Sequence, residues 1–375
     1  MNYYIIAGEA SGDLHAANLI RELRLNDTSA NIRAWGGDRM AQEGAVLVKH
    51  YKDLAFMGFV EVLMNLRAIF QNLDFCKKDI IAFKPDVIIL VDYPGFNLRI
   101  AEWAHEQGIR VFYYISPQIW AWKQSRVKQI RRTVERMFVI LPFEQAFYQR
   151  FGVEVDFVGH PLLDAIEAEI NEHPFNAVEF ISRNKLTDKP LIALLPGSRK
   201  QEIIKTLHQM LSVINDFPDH QFVIAGVEVF PEAFYQSIIG TKPVKIVFGQ
   251  THDLLRSSAA ALVTSGTATL ETALLNVPEV VCYKGSYLSY LIARQLIKIK
   301  YISLVNLIMD RVVVKELIQD QLNTNNLKYE LDRILNRPVE RQRILSDYTK
   351  LRHVLGDRGA SKTTAQLIHN YLCLL

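Results

Sequence analysis

Short apolar runs recur along this chain, each followed by a longer stretch with helical spacing, and this alternation restricts the fold more than any other feature. The first half holds the runs Tyr3–Ala7, Ile32–Trp35, Val87–Val91, Val111–Ile115, Met137–Leu141 and Val155–Val158. The second holds Leu191–Leu195, Phe222–Ala225, Lys245–Phe248, Ala261–Thr264 and Val280–Tyr283. Runs without polar alternation belong to strands buried on both faces, the condition of a parallel sheet covered by helices. Strand alternating with helix then predicts doubly wound α/β domains.

The pattern lapses between Pro161 and Pro190, where the chain is polar and reads as irregular, and PLIALLPGSR then starts a fresh strand and glycine loop. We therefore expect two doubly wound Rossmann-like domains, residues 1–165 and 186–350, facing across a cleft at the carboxyl ends of their strands. From about Tyr329 the pattern is helical, punctuated by Gly356 and Gly359, with Ser361 as a cap for the last helix. The helices of 351–375 are expected to complete the first domain.

With 49% hydrophobic and 22% charged residues, 375 residues suffice for a large core without staples. Cys76, Cys282 and Cys373 are far apart and form no C-x-x-C pair, which fits buried thiols in a reducing compartment. The opening MNYYIIAGEASGD has no basic start and enters a glycine loop too early for a secretory leader. Arg294, Lys298 and Lys300 interrupt the most apolar stretch, Tyr287–Met309, and argue against a membrane-spanning helix of about 20 apolar residues. The net charge is +3, and the one basic cluster is Lys123, Arg126, Lys128, Arg131, Arg132 and Arg136. It reads either as a solvated helix face or as a contact for anionic lipid headgroups. Nucleic-acid binding has no further support.

Chemistry-bearing residues gather in the loops that follow strands. Gly8-Glu9-Ala10-Ser11-Gly12-Asp13 can bring backbone close to a ligand, or Ser11 or Asp13 can cap the next helix. Leu195-Pro196-Gly197-Ser198-Arg199 offers N–H groups at a helix start and a permanent cation, without Walker spacing. Thr264-Ser265-Gly266-Thr267-Ala268-Thr269 forms a second anion cradle, and Glu271 beyond it can take a ribose diol or complement the helix dipole. Asp92, ending the run DVIILV, is placed for general-base work or orders the Pro94-Gly95 turn. Gln118, Trp120 and Trp122 of SPQIWAW can line a sugar or acyl site or cover the core edge, and His160 of Gly159-His160-Pro161 can be a hinge residue. The chain has no D-x-D pair and its histidines are scattered, so no metal or other cofactor is expected. Charge on a departing diphosphate would then fall to Arg199 and helix N-termini.

GEASGD, D-x-P-x-FN, SPQ-x-WAW, GHP, LLPGSR and SGTATLE together, in this order and spacing, resemble the lipid-A-disaccharide synthase family from Gly8 to about Gln319. The resemblance implies a GT-B-type fold, with acceptor and lipid on the first domain and donor on the second. It implies an inverting hexosyl transfer from UDP-2,3-diacylglucosamine to 2,3-diacylglucosamine 1-phosphate, giving a β-1,6 disaccharide phosphate and UDP. Asp92 is then the candidate base. Ser198, Arg199, Ser265, Gly266, Thr267 and Thr269 would hold the diphosphate, and Glu271 the ribose. Asn306 of Ser303-Leu304-Val305-Asn306 and Glu316 and Gln319 of Glu316-Leu317-Ile318-Gln319 are further candidates. The family usually has proline where Val305 and Lys315 stand.

Acylated substrates imply peripheral contact with an anionic membrane surface, at the inner face of a Gram-negative inner membrane. The apolar stretch Phe56–Met64 can meet that surface or form a core helix. The chain is expected to be a monomer or homodimer. The alternatives are another GT-B-type UDP-N-acetylglucosamine enzyme, a muramyl-lipid glycosyltransferase or a 2-epimerase, and a non-catalytic glycolipid carrier. Retention of Asp92, Arg199 and Glu271 speaks against the carrier.

Overall fold

A computed structural model describes residues 1–53, 66–172, 174–285 and 300–373. They fall into two compact units, Met1–Asp164 with Leu355–Leu375, and Ala165–Val354. The apolar stretch Phe56–Met64 and residues 287–299 of Tyr287–Met309 lie outside the described residues.

The first unit is built on β1 (Asn2–Ala7), β2 (Asn31–Gly36), β3 (Val46–His50), β4 (Val87–Val91), β5 (Val111–Tyr114), β6 (Arg136–Val139) and β7 (Asp156–Phe157). These strands lie in the order β3-β2-β1-β4-β5-β6-β7, and each pairing is parallel. Tyr3 to Ala7 and Val87 to Val91 are wholly buried, as strands covered by helices on both faces must be. The order turns back between β1 and β4, so the loops leaving these two strands diverge and leave a crevice at the carboxyl edge.

The second unit repeats the plan with β8 (Leu191–Leu195), β9 (Gln221–Gly226), β10 (Lys245–Phe248), β11 (Ser258–Thr264), β12 (Glu279–Tyr283) and β13 (Lys315–Ile318). The order is β10-β9-β8-β11-β12-β13, again with parallel pairings, and it reverses between β8 and β11. The sequence pattern anticipates neither β3 nor β13. Both are sheet edges whose residues are partly exposed, so they lack a continuous apolar run.

Three expectations need correction. Cys76 and Cys282 are buried as expected, but Cys373, near the end of the last helix, is exposed. The stretch from Pro161 to Pro190, read as irregular, is largely helical, in Pro161–Glu172 and Ala177–Arg183. Phe180 of the second helix is 1% exposed and joins the core of the second unit with Leu191, Val223 and Val263. Ser361 does not cap the last helix, Ala360–Cys373. Asp164 does so from another helix, its carboxylate accepting the Gly359 N–H at 2.6 Å and the Ser361 N–H at 3.5 Å. That last helix packs on Ala10–Asn26 and delivers Ala365 and Ile368 to the first unit's core.

At the start of β12, Glu279 is fully buried and neither carboxylate oxygen has a partner among the described residues. Burial, then the nearby Glu316 carboxylate, hold its pKa well above the usual range. The folded chain therefore keeps a proton that the unfolded chain releases near pH 4.5, and stability falls as pH rises above that value. Glu279→Met is expected to stabilise the protein by about 1–3 kcal/mol at pH 8, because an unsatisfied buried polar group is removed. The gain should shrink towards pH 5. Urea unfolding at both pH values measures it, and an equal or reversed gain at pH 5 would contradict the assignment.

Candidate active site

Each unit carries a constellation at its own topological switch point.

In the first unit the constellation begins where β4 ends. Asp92 and Tyr93 both have left-handed backbone, with φ of 45° and 50°. Such positions cost about 1–3 kcal/mol each unless the surroundings impose them. Here they do. The Asp92 carbonyl accepts hydrogen bonds from Asn97 Nδ2 at 2.7 Å and Tyr113 Oη at 2.5 Å, and its N–H donates to Tyr114 O at 3.1 Å. Asn97 also reaches Val91 O at 3.3 Å and Ile6 O at 3.4 Å, so one amide joins the ends of β1 and β4. The Tyr93 ring lies where a Cβ on Gly8 would come within 2.3 Å, so the β1 loop admits only glycine there. With its main chain clamped, Asp92 keeps its carboxylate for other work. Burial, then the neighbouring Glu9 charge, raise its pKa to about 6. A carboxylate poised there suits general-base chemistry near neutral pH.

The glycine loop after β1 divides its roles. Ser11 is exposed in the first turn of Ala10–Asn26. Gly12 is buried against Ala7, where an added Cβ would lie 3.3 Å from that residue's own Cβ. Asp13 is a cap, but of a different helix from the one it begins. It accepts N–H bonds from Gly37 at 2.7 Å, Met40 at 3.2 Å and Arg39 at 3.3 Å, all at the start of Asp38–Gln42. His160 is buried, and its Nδ1 accepts the Leu162 N–H at 3.2 Å. Burial, with His15 nearby, lowers its pKa to about 3, so it is neutral.

The loop after β5 holds a residue that sequence reasoning missed. Ile115, β-branched, has a φ of 62°, and Ser116-Pro117-Gln118 follows. The Glu144 carboxylate fixes this loop from below. It accepts Ser116 Oγ–H at 2.5 Å, Trp120 Nε1–H at 3.2 Å, and the N–H groups of Leu141 at 3.0 Å and Ile140 at 3.3 Å. Burial still raises its pKa to about 7 against those four donors. Trp120 is 8% exposed and meets Phe143 edge-on at 4.9 Å, while Gln118 is exposed. The side chain of Trp122 lies outside the described residues.

In the second unit a cavity of about 340 Å³ opens between the loops after β8 and β11. Ser198, Ser265, Gly266, Thr267 and Glu271 line it together with Gly197, so the structure gathers five of the expected donor residues. Gly197 and Gly266 take φ values of 104° and 150°, which few residues other than glycine adopt. Beyond them start Lys200–Met210 and Thr267–Leu274, whose first N–H groups have no partner within the helix. Together with the dipoles of the two helices, they favour an anion. Thr264 opens the segment read as the second anion cradle, and its Oγ1 is buried in the cavity wall without a partner among the described residues. Glu271 is largely buried, and its pKa is raised by desolvation, with His252 opposing and Glu169 adding to the effect. His252 in turn meets Glu169 at 2.6 Å.

Other expected residues stand back from this cavity. Arg199 is the exposed residue at the start of Lys200–Met210. Thr269 is buried, and its hydroxyl donates to Gly266 O at 2.9 Å, which shapes the turn. Asn306 spends its amide on Val313 N, Val314 N, Val314 O and Glu316. Glu316 accepts from Ser303 Oγ at 2.8 Å, Ser303 N at 2.9 Å and Ile302 N at 3.0 Å. Ile302 O accepts the Ser265 hydroxyl at 2.7 Å, so Glu316 supports the cradle through one intervening loop. Gln319 follows β13 with a φ of 52° and a buried, unpartnered Nε2 among the described residues. Val305 and Lys315 sit in the first turn of Leu304–Met309 and at the start of β13, elements that form without proline.

Glu144→Ala leaves four donors without an acceptor. It is expected to cost about 2–4 kcal/mol in urea unfolding and to shift tryptophan fluorescence, because Trp120 loses its partner. A change below about 0.5 kcal/mol would show that the loop does not depend on this carboxylate.

Comparison with known proteins gives a consistent result. The sequence model of the family described as lipid-A-disaccharide synthetase matches residues 3–370. A lipid-A-disaccharide synthase of Syntrophus aciditrophicus is 40% identical over 368 residues, covering 96% of this chain and 95% of the relative. One from Geobacter sulfurreducens is 35% identical over 370 residues, covering 97% and 95%. The fold is similar to the UDP-GlcNAc 2-epimerase of Neisseria meningitidis bound to UDP-GlcNAc, with a TM-score of 0.69, 14% identity and 100% of each chain covered. It is also similar to the calicheamicin glycosyltransferase CalG4, with a TM-score of 0.63, 15% identity and coverage of 99% and 98%.

Proposed function

Because the chain belongs to the lipid-A-disaccharide synthetase family, we propose that it moves a 2,3-diacylglucosaminyl group from UDP-2,3-diacylglucosamine to 2,3-diacylglucosamine 1-phosphate. The products are the β-1,6 disaccharide phosphate and UDP. The observation that carries this reading is the family match over nearly the whole chain, on a protein that retains both a poised acid and an anion cradle. The likeness to epimerases extends to the fold.

Asp92 takes the proton of the acceptor 6-hydroxyl. The oxygen attacks the sugar C1 as the bond to the UDP oxygen breaks, so one displacement inverts the configuration. Charge gathers on the leaving diphosphate, where Ser198 and Thr267, the two helix starts, the Ser265 and Thr264 hydroxyls and the Arg199 guanidinium stabilise it. Glu271 accepts hydrogen bonds from the ribose diol. Glu144 holds the SPQIWAW loop beside Asp92, on the acceptor side. Asn306, Glu316 and Gln319 act by shaping the donor loops.

Among the described residues no helix is long and apolar enough to cross a membrane. The acylated substrates bring the protein to the bilayer, and we place it at the inner face of a Gram-negative inner membrane. The exposed cations of the 123–136 segment are suited to an anionic surface.

Purified protein given both substrates, with EDTA present, should yield the disaccharide phosphate and UDP by mass spectrometry. Asp92→Ala should lower kcat by about 10²-fold or more. Absence of disaccharide despite saturable UDP binding would refute the acceptor assignment. A second test uses pH. Asp92 is active as the carboxylate, and its pKa is raised to about 6. The value of kcat/KM should therefore fall about tenfold per pH unit below about pH 6 and level off above it. A flat profile from about pH 5 to 7 would remove Asp92 as the base.

A further inference from the structure

Among the described residues the charged side chains that line the donor cavity are Glu202 and Glu271, both acidic, while Arg199 and Lys200 stand exposed outside its wall. A cavity built for a diphosphate should not be lined this way unless one of the carboxylates has a task there. Glu271 is engaged in the ribose reading. Glu202 is not, and its position is unusual. It belongs to the first turn of Lys200–Met210, and its Oε2 accepts the Ser198 N–H at 3.2 Å. The same oxygen lies where a Cβ on Gly197 would come within 2.3 Å, so the carboxylate rests directly on the Gly197-Ser198 loop. That loop is one wall of the anion cradle.

One N–H cannot serve two anions, and a phosphate at this distance would meet an uncompensated carboxylate. With the site empty, however, a carboxylate in the first turn is favourable, because it satisfies an otherwise orphaned donor and complements the helix dipole. We propose that Glu202 is an internal anion occupying the diphosphate seat, displaced when the donor enters and returning as UDP leaves. This rests on the donor reading given above. Glu202 is half-buried on a flexible side chain, so a rotamer change suffices to clear the seat. The consequence is thermodynamic: the loss of the Ser198 contact is subtracted from the affinity of every ligand carrying a diphosphate. Nucleoside binding is untouched. Weaker UDP binding in turn speeds product release, which limits many transferases that close on their substrates.

The test is calorimetric titration of the full chain with UDP and separately with uridine, for the native protein, Glu202→Gln and Glu202→Ala. Thermal melting of each verifies folding. Both variants are expected to bind UDP about tenfold more tightly, the scale of one charge-assisted contact, and to bind uridine as the native protein does. The difference should narrow as salt is raised. Unchanged or weakened UDP binding in folded variants would overturn the proposal, and so would an equal tightening of uridine, which would mean that the whole loop had moved. If none of the three proteins bound UDP, the donor reading itself would fall and the diphosphate seat with it. UDP binding by all three at equal strength would sink only the role of Glu202.

Discussion

A parallel strand can be reached from its neighbour only by carrying the chain back across a face of the sheet, and this requirement governs both units. Helices cover both faces, the strands between them become wholly apolar, and polar chemistry is confined to the edges. Where the winding reverses, between β1 and β4 and between β8 and β11, the departing loops separate. Asp92 and the Gly8 loop lie at the first reversal. The Gly197 and Gly266 loops lie at the second. The two sets of residues thus owe their positions to one topological rule applied twice, with different side chains installed at each place.

Buried carboxylates show how far surroundings determine what one chemical group does. Asp13 and Asp164 each cap a helix other than their own and tie together segments remote in sequence. Glu316 holds a loop on which the donor cradle leans. Glu144 collects four donors and still has its pKa raised, because desolvation outweighs them. Asp92 has its main chain held and its carboxylate left available. The number of N–H and O–H groups aimed at each oxygen separates the structural acids from Asp92, the one proposed to react.

The central strands were legible because burial on both faces leaves an unbroken apolar run, as in Val87–Val91. The edges β3 and β13 were not, since one exposed side dilutes the run with Lys49, Lys315 and Glu316. Loops rich in glycine and hydroxyls at strand ends mark Ser198, Ser265, Gly266 and Thr267 in the sequence, and the cavity gathers them. Glu144 and Glu202 were invisible for a shared reason. Each is an acid in the first turn of a helix, where acids are common for dipole reasons alone. What distinguishes them is the loop their carboxylates reach, and that depends on left-handed backbone at Ile115 and Gly197. Asn306 and Glu316 drew notice only through the family resemblance of their segments, and geometry shows that their polar atoms are spent on neighbouring loops.

The last helix, Ala360–Cys373, belongs to the first unit, and this orders events while the chain is being made. The second unit, Ala165–Val354, is one continuous stretch of chain and needs nothing beyond Val354 to fold. The unit begun first is still missing a wall. Ala365 and Ile368 have yet to cover Leu19, Leu23 and their neighbours, and Asp164 has no helix to cap. The first unit, although its sheet is begun first, therefore cannot close its core until Ala360–Cys373 has docked. Until then the nascent protein presents an open apolar face for chaperones to shield. A truncation of only the final two dozen or so residues would strand it there, with the residues expected to bind the donor intact and the unit that carries Asp92 unfinished.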